Sequence, residues 1–288
     1  MHEKIAFSTL LWYNKKKLKL QQGENEMGIY LNPENVDFQE VLNSKIYVDK
    51  SELIQYTNSV LRTTQKYICV SRPRRFGKSM AANMLTAYYS RGCDSRGLFQ
   101  GLKIATHPDF EKYLNQYNVI HLNMRDYLTE SENMKQLIQF VEDDLLDELQ
   151  QEFSDLRMPR RKTLVKVLEQ AFAQYKIPFV FIIDEWDCIF RVHKSDAASQ
   201  KDYLDFLRNL LKDKSYIALA YMTGILPIKK YGEHSAINVF YEYSMTDASP
   251  IEEFTGFTEQ EVRQLCEQYN MPFSETKKWY DGYCVDGV

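Results

Sequence analysis

Four short apolar runs punctuate the chain, and stretches whose apolar positions recur at helical spacing separate them. Tyr67-Ile68-Cys69-Val70 runs straight into Ser71-Arg72-Pro73-Arg74-Arg75-Phe76-Gly77-Lys78-Ser79, after which 80–89 reads as a helix ended by Arg91-Gly92. Asn118-Val119-Ile120-His121-Leu122-Asn123 is a second strand. The helix opened by Ser131-Glu132 carries Leu137, Ile138, Val141, Leu145, Leu146 and Leu149 on one face, and another is expected over 163–175. Pro178 then launches Phe179-Val180-Phe181-Ile182-Ile183, a continuous apolar run of the kind buried on both faces of a parallel sheet. A helix over about 201–211 separates it from Tyr216-Ile217-Ala218-Leu219-Ala220-Tyr221-Met222-Thr223, which repeats the pattern. Strands alternating with helices predict an α/β fold, a parallel sheet sandwiched by helices.

The two ends read differently. Residues 1–26 combine a short apolar stretch from Phe7 to Trp12, the Lys15-Lys16-Lys17 cluster and a polar run, Gln21 to Glu26, with no period that persists. They are expected to form a loose tail that contributes nothing to the core. Domain-like patterning starts at 27, where Asp49-Lys50-Ser51-Glu52 has the Asp-x-x-Glu form that caps a helix start ahead of Leu53-Ile54. From Thr258 onwards a helix over 259–269 and the segment Lys277-Lys278-Trp279-Tyr280-Asp281-Gly282-Tyr283 add no strand. The expected organisation is therefore a tail at 1–26, an α/β core at 27–250 and a small, truncated helical lid at 251–288.

Composition narrows the classes. The 288 residues are 44% hydrophobic and 26% charged, which excludes a chain disordered throughout and leaves room for a large core. No apolar run approaches the ~20 residues that cross a bilayer. Five cysteines, Cys69, Cys93, Cys188, Cys266 and Cys284, lie scattered with no C-x-x-C and no histidine at ligand spacing, so neither a zinc site nor a disulfide framework is expected. Reduced thiols, and an N-terminus in which the lysines follow the apolar stretch, point to the cytoplasm. The net charge of −4 supplies no evidence for a nucleic-acid partner, and the 20 tyrosines are not interleaved with basic residues as in a base-stacking module.

The chemistry is concentrated in two strings. Gly77-Lys78-Ser79 between a strand and a helix is the end of a phosphate-binding loop: backbone amides and the helix dipole face the anion, Lys78 reaches the terminal phosphates and Ser79 holds Mg²⁺. The full pattern G-x-x-x-x-G-K-[ST] would place its first glycine where this chain has Arg72. The alternative is an ordinary turn. Downstream, the strand ending at Ile183 delivers Asp184-Glu185; the aspartate suits a Mg²⁺ shell and the glutamate suits activation of the attacking water. Alternatively both acids cap the segment 186–190. Thr223 either senses the γ-phosphate or merely ends a strand before Gly224. Asp187 either positions Glu185, pairs with an arginine or is solvated. Arg72, Arg74 and Arg75 either add charge to the loop, face a neighbouring subunit or nucleic acid, or divide into solvated guanidiniums and a structural pair.

Together, Ile46-Tyr47-Val48-Asp49-Lys50, the 71–79 string, Ile183-Asp184-Glu185-Trp186-Asp187 and Met222-Thr223-Gly224-Ile225 resemble the bacterial AAA-ATPase-like family, a P-loop ATPase domain often fused to a C-terminal PD-(D/E)XK nuclease-like domain. The likeness covers about residue 27 to the end. An arginine in place of the first loop glycine is a habit of that family, and Trp186 stands where it usually has tyrosine. The Met27-Gly28-Ile29-Tyr30-Leu31-Asn32-Pro33 string matches the family's usual beginning, so 1–26 is expected to be an upstream extension; relatives continue beyond Val288, into the nuclease-like part. The resemblance implies an additional-strand P-loop ATPase that binds ATP and Mg²⁺ through the loop residues Arg72, Pro73, Arg74, Arg75, Phe76, Gly77, Lys78, Ser79 and Met80. Ser79 and Asp184 are the expected metal ligands, and Lys78, Glu185 and Thr223 the catalytic set. The favoured function is Mg-dependent ATP hydrolysis coupled to a protein partner, to self-association or to a conformational switch. A nucleotide-gated binding module with little turnover, and an ATPase component of a nucleic-acid-processing system, are the rivals; single-turnover hydrolysis and a salt-dependent DNA titration separate them.

Overall fold

The computed structural model describes residues 28–228 and 238–280. The expected tail therefore lies outside the described residues. Five strands, β1 (Tyr67–Ser71), β2 (Asn118–Asn123), β3 (Phe179–Asp184), β4 (Ile217–Gly224) and β5 (Tyr241–Tyr243), form one sheet in the order β2-β3-β4-β1-β5, with every pairing parallel. The strand β4 thus lies between the loop-bearing β1 and the acid-bearing β3.

Alternation along the strands divides the core. Tyr67 and Cys69 of β1, Ile120 and Leu122 of β2, and Phe179, Phe181 and Ile183 of β3 point to one face. There they meet α5 (Met134–Glu152), α6 (Leu164–Tyr175) and α8 (Ala197–Leu211) through Leu137, Val141, Leu145, Val167, Leu168 and Leu207. Ile68, Val70, Val119, Val180 and Ile182 point to the other face. They meet α1 (Val36–Leu42), α2 (Glu52–Val60) and α3 (Lys78–Tyr89) through Phe38, Leu53, Ile54, Ala82 and Leu85. A register shift at Phe179/Val180 inserts Ala218 as an extra residue, so Ala218 and Leu219 both join the second layer. Each fully buried Leu, Ile, Val or Phe contributes ~1.5–3 kcal/mol, so two such layers hold the sheet without staples.

Local chemistry moves several helix boundaries. Asn133, not Ser131, caps α5, its side chain accepting from the Gln136 amide at 3.1 Å; Asp196 caps α8 earlier than expected, accepting from the Ser199 amide at 3.0 Å. Asp49 does not cap α2. Its two oxygens accept from the amides of Ser51 and Lys103, while Ser51 Oγ accepts from the Ile104 amide. Several short elements had no periodic signal, among them α4 (Met124–Glu130), directly after β2, and α7 (Cys188–Val192), directly after the acids. The three-residue edge strand β5 also went unpredicted. The C-terminal helices α9 (Glu259–Gln268), which opens on a Thr258–Glu261 capping box, and α10 (Phe273–Tyr280) pack on each other. No described helix is long and apolar enough to cross a membrane.

Candidate functional site

Parallel registry brings the carboxyl ends of four strands level: Ser71 lies beside Gly224, Ile183 beside Met222 and Asp184 beside Asn123. Ligands of open α/β sheets bind at that edge, and both chemical strings emerge there. The loop 72–77 joins β1 to α3, with Arg75 (φ 71°) and Gly77 (φ 74°) in the left-handed region; Gly77 is the residue before the first turn of α3. The following lysine is buried, and its ammonium donates back to the Pro73 carbonyl at 3.0 Å. Burial pulls Lys78 below its ordinary value of 10.5, against the opposing influence of Glu185, Asp184 and Asp187.

Ser79, Asp184 and Thr223 meet. The Ser79 hydroxyl donates to Asp184 Oδ2 at 2.5 Å, and the Thr223 hydroxyl donates to Asp184 Oδ1. The same Oδ1 accepts from the Glu185 amide at 2.9 Å. Asp184 and Thr223 are buried, whereas Ser79 is exposed. A carboxylate and a hydroxyl facing one another at the open end of the sheet are hard oxygen donors, and Mg²⁺ is ordinarily held by one or two such protein oxygens with the rest of its shell supplied by water and phosphate. The pair fits that ion. Among the described residues no group of three or more His, Cys, Asp or Glu gathers to hold a metal.

The acid turn is wired separately. Glu185 adopts φ 54°, and the Trp186 amide donates to the Thr223 carbonyl at 3.1 Å, folding the turn against β4. That approach needs Gly224: a Cβ there would stand 2.6 Å from Trp186 Nε1 and 2.8 Å from Asp187 Oδ1. Asp187 is fully buried and pairs with Arg191 of α7, the Arg191 Nε donating to Oδ2 at 3.0 Å. The other end of the guanidinium, NH2, donates to Glu185 Oε2. Arg191 is the residue that the motif reading missed. Its one sequence signal is the i,i+4 spacing from Asp187, which is common on any helix.

The loop arginines divide. Arg72 is fully buried and turned away from the crest, donating through Nε to Thr255 Oγ1 at 3.0 Å and through NH1 to the carbonyls of Ser71 at 3.0 Å and Tyr243 at 2.7 Å. Arg74 and Arg75 are exposed. Phe76 is half-buried, and its carbonyl accepts from the Gly256 amide at 3.0 Å, so the segment entering the C-terminal helices lies directly on the loop. Met80 is exposed on the first turn of α3. It borders an apolar cavity of about 110 Å³ that Ile46, Tyr47, Val48, Met84 and Phe257 help to line. The Tyr47 hydroxyl, buried, has no hydrogen-bond partner among the described residues.

The sequence pattern of the family described as "Predicted AAA-ATPase" matches residues 36–232. A curated relative, an uncharacterized protein in the vnfD 5' region of Azotobacter chroococcum mcd 1, is 24% identical over 225 residues, which is 74% of this chain and 41% of the relative. The chain thus spans less than half the length of that relative. Among solved structures, the Aeropyrum pernix ORC1 protein in complex with DNA overlaps 86% of this chain and 54% of its own at 13% identity and a TM-score of 0.41. The Aeropyrum pernix ORC2 protein, in ADPNP–ADP complexes, overlaps 78% and 53% at 9% identity and a TM-score of 0.36. At that likeness neither says what this chain binds.

Proposed function

Because the chain belongs to the predicted AAA-ATPase family, we propose that it binds ATP with Mg²⁺ at the carboxyl edge of its sheet and hydrolyses it. The observation that carries this reading is the Ser79–Asp184–Thr223 cluster, in which the first turn of α3 meets the ends of β3 and β4 through one carboxylate. Lys78 and the amides 74–79 receive the phosphates, Ser79 and Asp184 hold the ion, and Thr223 keeps Asp184 oriented. Bound there, Mg²⁺ would neutralise charge on the terminal phosphates. Glu185, on the water side of the same edge, takes the proton from the attacking water. The apolar cavity beside Phe76 and Met80 receives the base.

Arg72 serves in this reading as a bolt, fastening the loop to β5 and to Thr255, while Arg74 and Arg75 provide the loop's exposed charge. The segment 251–257 and the helices α9 and α10 are the natural transmitters of nucleotide state to a partner or a second copy, since Gly256 touches the loop itself. Calorimetric titration with ATP in the presence and absence of Mg²⁺, followed by a single-turnover hydrolysis assay, tests the assignment. Tight, Mg-dependent binding followed by phosphate release is expected. Binding without turnover would favour the nucleotide-gated module, and no binding would overturn both. The same reading places the protein in the cytoplasm, where ATP, Mg²⁺ and reduced thiols coexist.

A further inference from the structure

Three side chains of one short turn, Glu185, Asp187 and Arg191, form a chain of contacts whose parts differ in burial. Asp187 is fully enclosed. Its Oδ2 accepts both from Arg191 Nε at 3.0 Å and from the Leu226 amide at 2.9 Å, whereas its Oδ1 has no partner among the described residues. A buried carboxylate left without its cation is strongly disfavoured, so the Asp187 half of the contact is fixed. The Glu185 half sits at the edge, with the Arg191 and Glu185 side chains 18% and 19% exposed. A guanidinium presents its donors in a rigid plane. Once Nε is pinned by Asp187, the position of NH2 is set, and with it the position of the Glu185 carboxylate. Glu185 itself sits in the left-handed region at φ 54°, and its Oε2 meets Arg191 NH2.

The same anchor reaches the other half of the site. Through the Leu226 amide, Asp187 is tied to the segment leaving β4, the strand whose Thr223 holds Asp184. One buried carboxylate therefore registers the candidate base against the candidate metal ligand. The burial of Arg191 acts against its charge, but Asp187 and Glu185 outweigh that and hold the guanidinium above its ordinary value, so it stays charged at any working pH.

We propose that Arg191 is a positioning residue for hydrolysis: anchored by Asp187, it holds the Glu185 carboxylate in the place from which it activates water. This rests on the ATPase reading above. Arg191→Lys is the informative substitution, because an ammonium keeps the charge but cannot span both carboxylates. Expected is a fall in kcat on the order of 10-fold to 10²-fold from misplacement of the base, with KM and calorimetric ATP affinity unchanged within about threefold. In a Glu185→Gln background the same substitution should cause no further loss, since Arg191 acts only through Glu185. Asp187→Asn should reproduce the kcat effect, with its melting temperature and ATP affinity measured alongside to show that the fold is retained. Wild-type kcat in Arg191→Lys overturns the proposal, as does a loss that multiplies with Glu185→Gln or that follows ATP affinity downwards. Absence of turnover in the wild type overturns the ATPase reading itself and the positioning role with it, whereas an active wild type with an equally active Arg191→Lys overturns the positioning role alone.

Discussion

Two turns leave the same edge of the sheet, and they differ in what their functional side chains touch. The loop after β1 is fastened at its root by the buried Arg72 and beyond it is shaped by backbone geometry: two left-handed residues, an exposed crest at Arg74 and Arg75, and a lysine folded onto its own Pro73 carbonyl. The turn after β3 is held by side chains, with Asp184 bonded to Ser79 and Thr223, and Asp187 and Glu185 bridged by Arg191. The crest of the first turn is exposed. The second has its carboxylates already committed, Asp184 to the distant Ser79 and Thr223, and Glu185 and Asp187 to the nearby Arg191. Binding should therefore be sensitive to the loop, and turnover to the wiring of the acid turn.

The largest effect that would break this division is at Glu185. Glu185→Gln keeps size and hydrogen-bonding capacity but loses the base, so turnover should drop on the order of 10²-fold to 10⁴-fold while calorimetric ATP affinity holds. Unchanged turnover would move water activation elsewhere. Lys78→Ala should have the converse signature. Removing a charge-assisted contact worth ~1.5–3 kcal/mol weakens nucleotide binding on the order of 10-fold to 10²-fold, and undiminished affinity would sink the phosphate-loop assignment.

Smaller effects sharpen the comparison. Gly256 sits at φ 76° with its amide on the Phe76 carbonyl, and a Cβ there would stand 2.9 Å from the Phe76 ring. Gly256→Ala should cost about 1–2 kcal/mol, read as a fall of roughly 2–8 °C in Tm. A loss of ATP affinity with Tm unmoved would instead make this segment part of the site. The smallest effect belongs to His121 on β2, whose ring Nδ1 lies 3.1 Å from Thr86 Oγ1. Burial lowers its pKa, against the opposing influence of Asp184 and Asp37. With the folded value below the unfolded ~6.5, the unfolded chain binds the extra proton first. Stability is thus whole above that pH and declines as pH falls through it towards the folded value. Urea melts at pH 7.5 and 5.5 should show the decline, and His121→Gln should flatten it; an equal decline in both proteins would assign the slope to other groups.

Much of this was legible in one dimension because the physics involved is local. Three of the five described strands, β1, β3 and β4, are nearly continuous apolar runs, and burial on both faces of a parallel sheet demands that composition. The phosphate loop announces itself because glycine, lysine and serine must be consecutive where a helix begins. The edge strand β5 escaped because three residues, Tyr241, Glu242 and Tyr243, pair only with β1 and need no apolar run. Capping escaped for a related reason: Asp49 has the right spacing to cap α2, but the amide of Lys103, distant in sequence, claims one of its oxygens.

The identities of the chemical groups, the two strings that carry them and the alternation that makes a parallel sheet are all written in the order of residues, because each depends on neighbours within a turn or a strand. Which groups meet was decided by the fold. Thr223 reaches Asp184 only because β4 inserts between β1 and β3, and Arg72 differs from Arg74 and Arg75 only because β5 and Thr255 close over it. Arg191 joins Glu185 to Asp187 because Gly224 lets the acid turn lie against β4. Such contacts are set by strand order and close approach, which arise from packing the whole sheet; the i,i+4 spacing of Asp187 and Arg191 does not by itself say that Glu185 joins them.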